Sequence, residues 1–403
     1  MILNVFNLGS APPNTVAQVA EPYGGCVFIV DPEEPDAVAL LPVLEELGTV
    51  VIANTLEACV ELLADVTPRG VVVFDERSIR LAAELAEHYD LPGVSPKAAQ
   101  WLCDKSAQRE RLNACGVGDV RSVSMTGGEV PAEIPLPAVV KPSAGAGSED
   151  TFIVRTREEF DAVAAELNPA RAYVVEHYIE GADAPLGSWL ADYVSVESAV
   201  DAAGTVRHIG ITGRLPLARP ARETGLVFPV KPDAELEESL LGLAEATISA
   251  LEFRAGLAHT EIKIGAAGPV VIELNGRLGG GLHRLMPQAG GVEPVSVAVA
   301  LATGEPVPDG FPEPTQHALH YYVQPPCEAT AVLELPTPRV VKTAPGVFKA
   351  DRTARPGASV DWRQGSTSRV YDVWLAADSL PELASYQAGL DELLERTIRW
   401  ESA

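Results

Sequence analysis

The stretch HTEIKIGAAGPVVIELNGR, residues 259–277, decides the reading of this chain. Two apolar-rich runs flank Gly265-Ala266-Ala267-Gly268, which is the signature of a β-hairpin. With the turn centred on Ala267, Ile264 faces Val270, Ile262 faces Ile272 and Thr260 faces Leu274. Side chains alternate along a strand, so these residues form one mostly apolar face. The opposite face pairs Glu261 with Glu273, Lys263 with Val271 and His259 with Asn275. Directly opposed residues hold their Cβ atoms roughly 4.5–5.5 Å apart, and like charges there destabilise the pair. Two carboxylates so placed require a cation, a shared proton or free access to water. A one-residue slip would put an acid on the buried face, which is worse. A solvated polar face with splayed acids is the plain alternative. A divalent magnesium ion is the natural cation for carboxylate and amide oxygens.

The chain around this hairpin is long enough for two or three domains, with 403 residues. Its formal net charge of −26 argues against a nucleic-acid backbone as the main partner. It leaves room for a local basic pocket for a small phosphate ligand. Cys26, Cys59, Cys103, Cys115 and Cys327 are widely spaced, odd in number and free of any C-x-x-C. They argue against a disulfide framework or zinc site and fit a reducing cytoplasm. The N-terminus lacks the pattern of a secretory signal, and no apolar run approaches a membrane span.

Residues 1–100 alternate strand-like runs, CVFIVD (26–31), GTVVIA (48–53) and GVVVFD (70–75), with helical patterns at AVALLPVLEEL and SIRLAAELAEHY. That is a small α/β unit with buried parallel strands. A helix is expected over AAQWLCDKSAQRERLNACGV, with Gly116 as a stop signal. LPAVVKPSAGAGSEDTFIV (136–154) reads as strand, glycine-rich loop, strand. AYVVEHYIEG (172–181) reads as a strand ending in a turn. Residues 190–214 read as a strand pair joined at Asp201–Gly204, and a helix is expected at about 235–251. After Pro306 the chain is Pro-rich, then strand-like, and closes with an amphipathic helix.

The loop after Lys141, PSAGAGS, is built of small residues. Such a loop lets the backbone approach phosphate oxygens closely. It is neither a P-loop nor a dinucleotide fingerprint. Taken singly, it also reads as a surface hairpin loop, and VVEHYIEGAD reads as an edge strand carrying an acid.

In combination the segments DKSAQRERL (104–112), VVKPSAGAGS (139–148), VVEHYIEG (174–181), SVES (195–198) and HTEIKIGAAGPVVIELNGRLGGG (259–281) resemble the ATP-grasp ligases. Within them, the chain resembles the carboxylate–amine ligases of the L-amino-acid ligase kind. The resemblance implies an α/β (α+β) fold with three parts. These are an N-terminal α/β domain at 1–104, an ATP-grasp core at 105–305 with a flexible lid at about 120–180, and a C-terminal β-rich domain at 306–403 with a final helix. It also implies ATP and Mg²⁺ as cofactors, with Mn²⁺ as a possible substitute. Lys105 and Lys141 match the lysines that contact ATP phosphates, and the loop Ser143, Gly145, Gly147, Ser148 matches the one that closes over the triphosphate. Glu176 matches the acid near the adenine amino group, and His177 and Ile179 supply neighbouring backbone contacts. The ribose position falls to Asp183 or, across an apparent insertion, Asp192. Glu261, Glu273 and Asn275 match the metal ligands, Arg277 the arginine for phosphate and substrate carboxylate, and Arg214 a further phosphate contact.

The chemistry implied is phosphoryl transfer to a carboxylate, giving an acyl phosphate that an amine then attacks. The partners are small-molecule carboxylate and amine substrates, and a homodimer is allowed. Gly279–Gly281 leave room beside the reacting centre. Gly280, His283 and Arg284 could reach a substrate, or the last two simply start the next helix. His317 and His320 in HALH lack a third ligand nearby, so a strand is the plainer reading. A bicarbonate-using carboxylase and a non-catalytic ATP-binding protein are the two rival readings.

Overall fold

The computed structural model describes residues 1–126, 130–145 and 147–402. The N-terminal sheet is fully parallel, with strand order Thr49–Ile52, Cys26–Val30, Ile2–Phe6, Gly70–Val73. Three of these strands were expected. The fourth, ILNVF at Ile2–Phe6, lies inside the sheet and is buried along its length. Parallel strands present their carboxyl ends to one side, and the loops there carry ligand-facing groups in open α/β sheets. The loop after Gly70–Val73 carries Asp75 and Glu76, both buried.

The single helix expected over 98–117 is two helices, Pro96–Leu102 and Lys105–Ala114. The break is chemical. The Asp104 side chain accepts from the backbone N–H groups of Ser106 and Ala107, so it caps a new helix rather than continuing the old one. The restart puts Lys105 in the first turn. The pattern at AVALLPVLEEL likewise divides into Pro35–Val38 and Leu41–Leu47.

Residues 122–177 form a separate four-stranded antiparallel sheet, ordered Ser122–Thr126, Ala172–His177, Ala138–Pro142, Phe152–Val154, with the Arg157–Glu166 helix packed on it through Phe160. The largest sheet has eight strands: Gly268–Asn275, Gly256–Gly265, Tyr193–Val200, Val206–Arg214, Gly225–Val230, His317–Val323, Tyr371–Ala377 and Val347–Arg352. It runs without interruption from the hairpin into the C-terminal third. Strands on both sides of residue 305 therefore share one sheet.

The opening hairpin pairs as expected at its acid end: His259 with Asn275, Thr260 with Leu274, Glu261 with Glu273. Beyond Glu261 the register slips. Ile262 opposes Val271, Lys263 opposes Val270, and Ile264 opposes Pro269. The expected partners Ile272, Val271 and Val270 are each off by one. The turn is a two-residue Ala266-Ala267 link closed by Gly268 at φ +123°, which leaves Ile272 as an extra bulged residue. A bulge frees backbone carbonyls, and Arg109 takes them. Its Nη2 donates to the carbonyls of Val271 and Ile272 at 3.0 and 2.7 Å.

Candidate active site

A cleft of about 1130 Å³, counted to its open mouth, lies between the small sheet and the hairpin. Lys105, Lys141, Gly145, Gly147, Ser148, Glu176, His177, Ile179, Glu261 and Glu273 all line it. Most of the residues singled out from the sequence thus converge on one cavity. Ala146 lies outside the described residues.

Buried charges line the cleft as pairs. Lys105 Nζ sits 3.2 Å from Glu273 Oε2 and donates to the Gly145 carbonyl at 2.8 Å. Burial alone would lower its pKa, but Glu273 and Glu76 hold it above the ordinary lysine value. Lys141 Nζ sits 2.8 Å from Glu176 Oε2, and Arg109 Nε sits 2.7 Å from Glu176 Oε1. Burial disfavours the Glu176 carboxylate, yet these two cations bring it down to about 2. Glu176 therefore already has two cationic partners, Lys141 and Arg109, and both line the cleft.

The hairpin acids are compensated unequally. Glu261 lies 3.3 Å from His259 Nε2 and 4.0 Å from Arg214 Nη2. Despite burial, His259, Arg214 and Arg277 bring its pKa to about 2. Behind it, Glu197 meets His259 Nδ1 at 2.8 Å and accepts from the hydroxyls of Ser195 and Thr212 at 2.5 and 3.0 Å. Burial opposes a charged imidazole there, but Glu197 and Glu261 lift His259 to about 9. Arg214 is buried and also meets Glu223 at 3.1 Å. Asn275 is best satisfied with its amide nitrogen toward Glu76, donating at 2.9 and 3.0 Å. That turns its oxygen to the Glu273 side, the orientation a metal ligand needs. Arg277 Nε meets Glu76 Oε2 at 2.9 Å.

Two facing carboxylates and one amide oxygen fit a magnesium ion that takes its remaining ligands from phosphate oxygens and water. Among the described residues no cluster of three or more His, Cys, Asp or Glu side chains could hold a metal.

Some expected residues stand elsewhere. Asp183 is exposed and does not line the cleft, whereas Asp192 pairs with the cleft residue Lys263 at 2.6 Å. His177 donates its backbone N–H to the Arg121 carbonyl, which leaves that N–H unavailable to a nucleobase. Ser143 bonds Ser106 and does not reach the cavity surface. Gly280 is exposed in open space, while His283 and Arg284 pack toward Trp374 rather than into the cleft.

Sequence reasoning did not single out Glu76, Arg109, Glu197 or Glu223. Glu76 had a signal, an acid at the carboxyl end of a parallel strand. His259 and Glu261 stand two apart on one strand face, which already placed the histidine beside the acid.

The glycine loop is held by the C-terminal third. Ser366 N–H donates to the Gly147 carbonyl at 2.8 Å, and Phe152 meets Trp362 edge-on at 6.0 Å between ring centres. Gly365 adopts φ +66°, and a Cβ there would lie 2.3 Å from the Gly147 oxygen and 2.6 Å from the Glu149 nitrogen. Both contacts are backbone, so neither can swing aside. We expect Gly365→Ala to cost about 1–3 kcal/mol and to loosen loop 143–149. Hydrogen exchange should show faster exchange in that loop, and unchanged exchange would refute the contact.

Residues 134–284 match the family model of the ATP-grasp domain. The chain is 30% identical over 249 residues to the uncharacterized protein y4rH of Sinorhizobium fredii, across 59% of this chain and 49% of that one. It is 27% identical over 267 residues to carnosine synthase 1 of Gallus gallus, across 62% of this chain and 29% of that one. The chain thus spans half or less of these relatives. Its fold matches the crystal structure of an L-amino acid ligase from Bacillus licheniformis with a TM-score of 0.78 at 18% identity, covering 100% of this chain and 98% of that one. Among the described residues no helix is long and apolar enough to cross a membrane.

Proposed function

We propose that the chain is an ATP-dependent carboxylate–amine ligase that works through an acyl phosphate and releases ADP and phosphate. The observation that carries this is the convergence of Lys105, Lys141, Glu261 and Glu273 on one cleft, with Arg277 outside its lining but near enough to Glu261 and Glu273 to interact with their charges. The names of the similar proteins support the same reading. Its division is an N-terminal α/β domain to about 104, a core to about 305 and a C-terminal part that extends the core sheet.

The residues divide the work by charge. Lys105 and Lys141 exchange their carboxylate partners for ATP phosphate oxygens. Glu261, Glu273 and Asn275 hold magnesium, which supplies neutralisation of phosphate charge. Arg277 offers a planar fork suited to two-point contact with a carboxylate or phosphate. Its partner Glu76 yields when the anion arrives. The loop at 143–148 excludes water, because an acyl phosphate hydrolyses readily. Asp192 with Lys263 is the better-placed of the two candidates for the ribose hydroxyls.

ADP release tests this directly. Protein with ATP, Mg²⁺ and pooled amino acids should release ADP, and mass spectrometry should show a new amide. ADP release that depends only on bicarbonate would replace the amino-acid reading with carboxylation. No ADP release from any carboxylate and amine pool would leave a nucleotide-binding protein.

A further inference from the structure

The hairpin strand Gly268–Asn275 is an outer strand of the eight-stranded sheet and pairs with Gly256–Gly265 alone. Its far edge therefore has no strand to fix it. The register of this strand decides where Glu273 points. The Ala266-Ala267 turn pairs Gly265 with Gly268, Ile264 with Pro269 and Ile262 with Val271. Carried on unbroken, that register would set Ile272 against Glu261 and Glu273 against Thr260. Glu273 would then turn to the face of Thr260 and Ile262, both fully buried. The one extra residue at Ile272 returns Glu273 to the position opposite Glu261. The facing pair of carboxylates exists only while the bulge does.

A helix side holds that bulge. Lys105, Gln108 and Arg109 stand at i, i+3 and i+4 of the Lys105–Ala114 helix, so they share one side of it. All three reach the hairpin. Arg109 Nη2 donates to the carbonyls of both Val271 and Ile272. In a regular strand neighbouring carbonyls point to opposite edges, so this shared donor grips the irregular step itself. The Gln108 carboxamide accepts from the Leu274 N–H at 2.7 Å and donates to the Leu274 carbonyl at 3.0 Å, as a neighbouring strand would. The backbone is thus fixed on both sides of Glu273, while Lys105 meets its carboxylate. Gln108 and Arg109 are 3% and 2% exposed, so little water competes for these bonds. Arg109 Nε also bonds Glu176 at 2.7 Å, which ties the small sheet to the same step.

We infer that Arg109, with Gln108 beside it, is the positioning residue of the cation site: it holds the bulge that keeps Glu273 opposite Glu261. The inference rests on the assignment of Glu261, Glu273 and Asn275 to magnesium. It adds that the spacing of the two acids is set by a cation that is not itself an ion ligand, acting through backbone carbonyls.

Mn²⁺ binding to the whole protein saturated with ADP, followed by electron paramagnetic resonance, tests this without turnover. Arg109→Lys keeps a charge for Glu176 but replaces the planar fork with a single ammonium. Mn²⁺ affinity should fall about ten- to a hundredfold. ADP affinity measured without metal should fall far less. Gln108→Met, which releases Leu274 on the other side of Glu273, should weaken Mn²⁺ in the same direction. Deleting Ile272 removes the extra residue, and the unbroken register then sets Glu273 opposite Glu261 unaided. In that background Arg109→Lys should cost little further Mn²⁺ affinity, whereas a residue that only supported the fold would cost the same in both. Unaltered Mn²⁺ affinity in Arg109→Lys and Gln108→Met, or an equal loss with and without Ile272, would overturn the inference. An unaltered protein that binds ADP but no Mn²⁺ would overturn the cation assignment and the inference with it. Selective Mn²⁺ loss in Arg109→Lys, in a protein that releases ADP with no carboxylate and amine pool, would sink the ligase reading alone.

Discussion

Glu273→Gln should lower ADP release by about two to three orders of magnitude, a loss of roughly 3–4 kcal/mol of transition-state stabilisation. The substitution is nearly isosteric, so its effect is electrostatic. Glu273 stands opposite Glu261 across the hairpin, lines the cleft and faces Lys105 at 3.2 Å. Removing its charge takes away one of two anionic ligands from a site that offers few others. Lys105 keeps its bond to the Gly145 carbonyl, so the loop remains tethered. Two readouts separate metal loss from general damage. The Mg²⁺ concentration for half-maximal rate should rise, and Mn²⁺ binding in the presence of ATP, followed by electron paramagnetic resonance, should weaken. The melting temperature should stay within a few degrees. Activity equal to that of the unaltered protein would refute the metal assignment.

How much of this was legible in the sequence depends on the range of the interactions involved. The hairpin acids were legible because strand periodicity puts them on one face, whereas the turn register was off by one and the extra residue at Ile272 restores the Glu261–Glu273 pairing. The bulge at Ile272 was not, because it is stabilised by Arg109, 163 positions away in sequence. The break before Lys105 was open to reading, since Asp104 is a good N-cap residue, but it sat inside a continuous helical pattern. The strand at Ile2–Phe6 is apolar throughout and is followed by a turn-like Asn-Leu-Gly. It could have been read, since parallel interior strands are near-continuous apolar runs. The pairing of Glu76 with Arg277 spans 201 positions, and no local pattern encodes it. The same holds for Trp374 beneath Arg284. What the sequence carries well is which residues alternate. What it carries poorly is which distant element fills the other side.

Glu197→Ala should be the most destabilising single change in the site, costing about 3–5 kcal/mol, because it leaves a buried cation without its partner. Glu197 is 3% exposed and has no solvent to replace what it loses. It faces His259, which in turn faces Glu261, so the chain of charge alternates acid, imidazolium, acid. The pH dependence follows from the directions of the shifts. His259 is raised from 6.5 to about 9, so its stabilising charge is fully present below pH 6.5 and is lost as pH rises toward 9. Glu261 is lowered from 4.5 to about 2, so its contribution is present above pH 4.5 and is lost as pH falls toward 2. The network is therefore most stabilising between about pH 4.5 and 6.5. In the Glu197→Ala variant His259 loses its main reason to be charged, and the decline in stability between pH 6.5 and 9 should flatten. Urea midpoints measured across pH 4–9.5 would show this. An equally steep alkaline decline in the variant would mean that another group titrates there and that His259 is neutral. A double variant, Glu197→Gln with His259→Gln, should recover part of the loss, because it removes both charges together and keeps polar groups for Ser195 and Thr212.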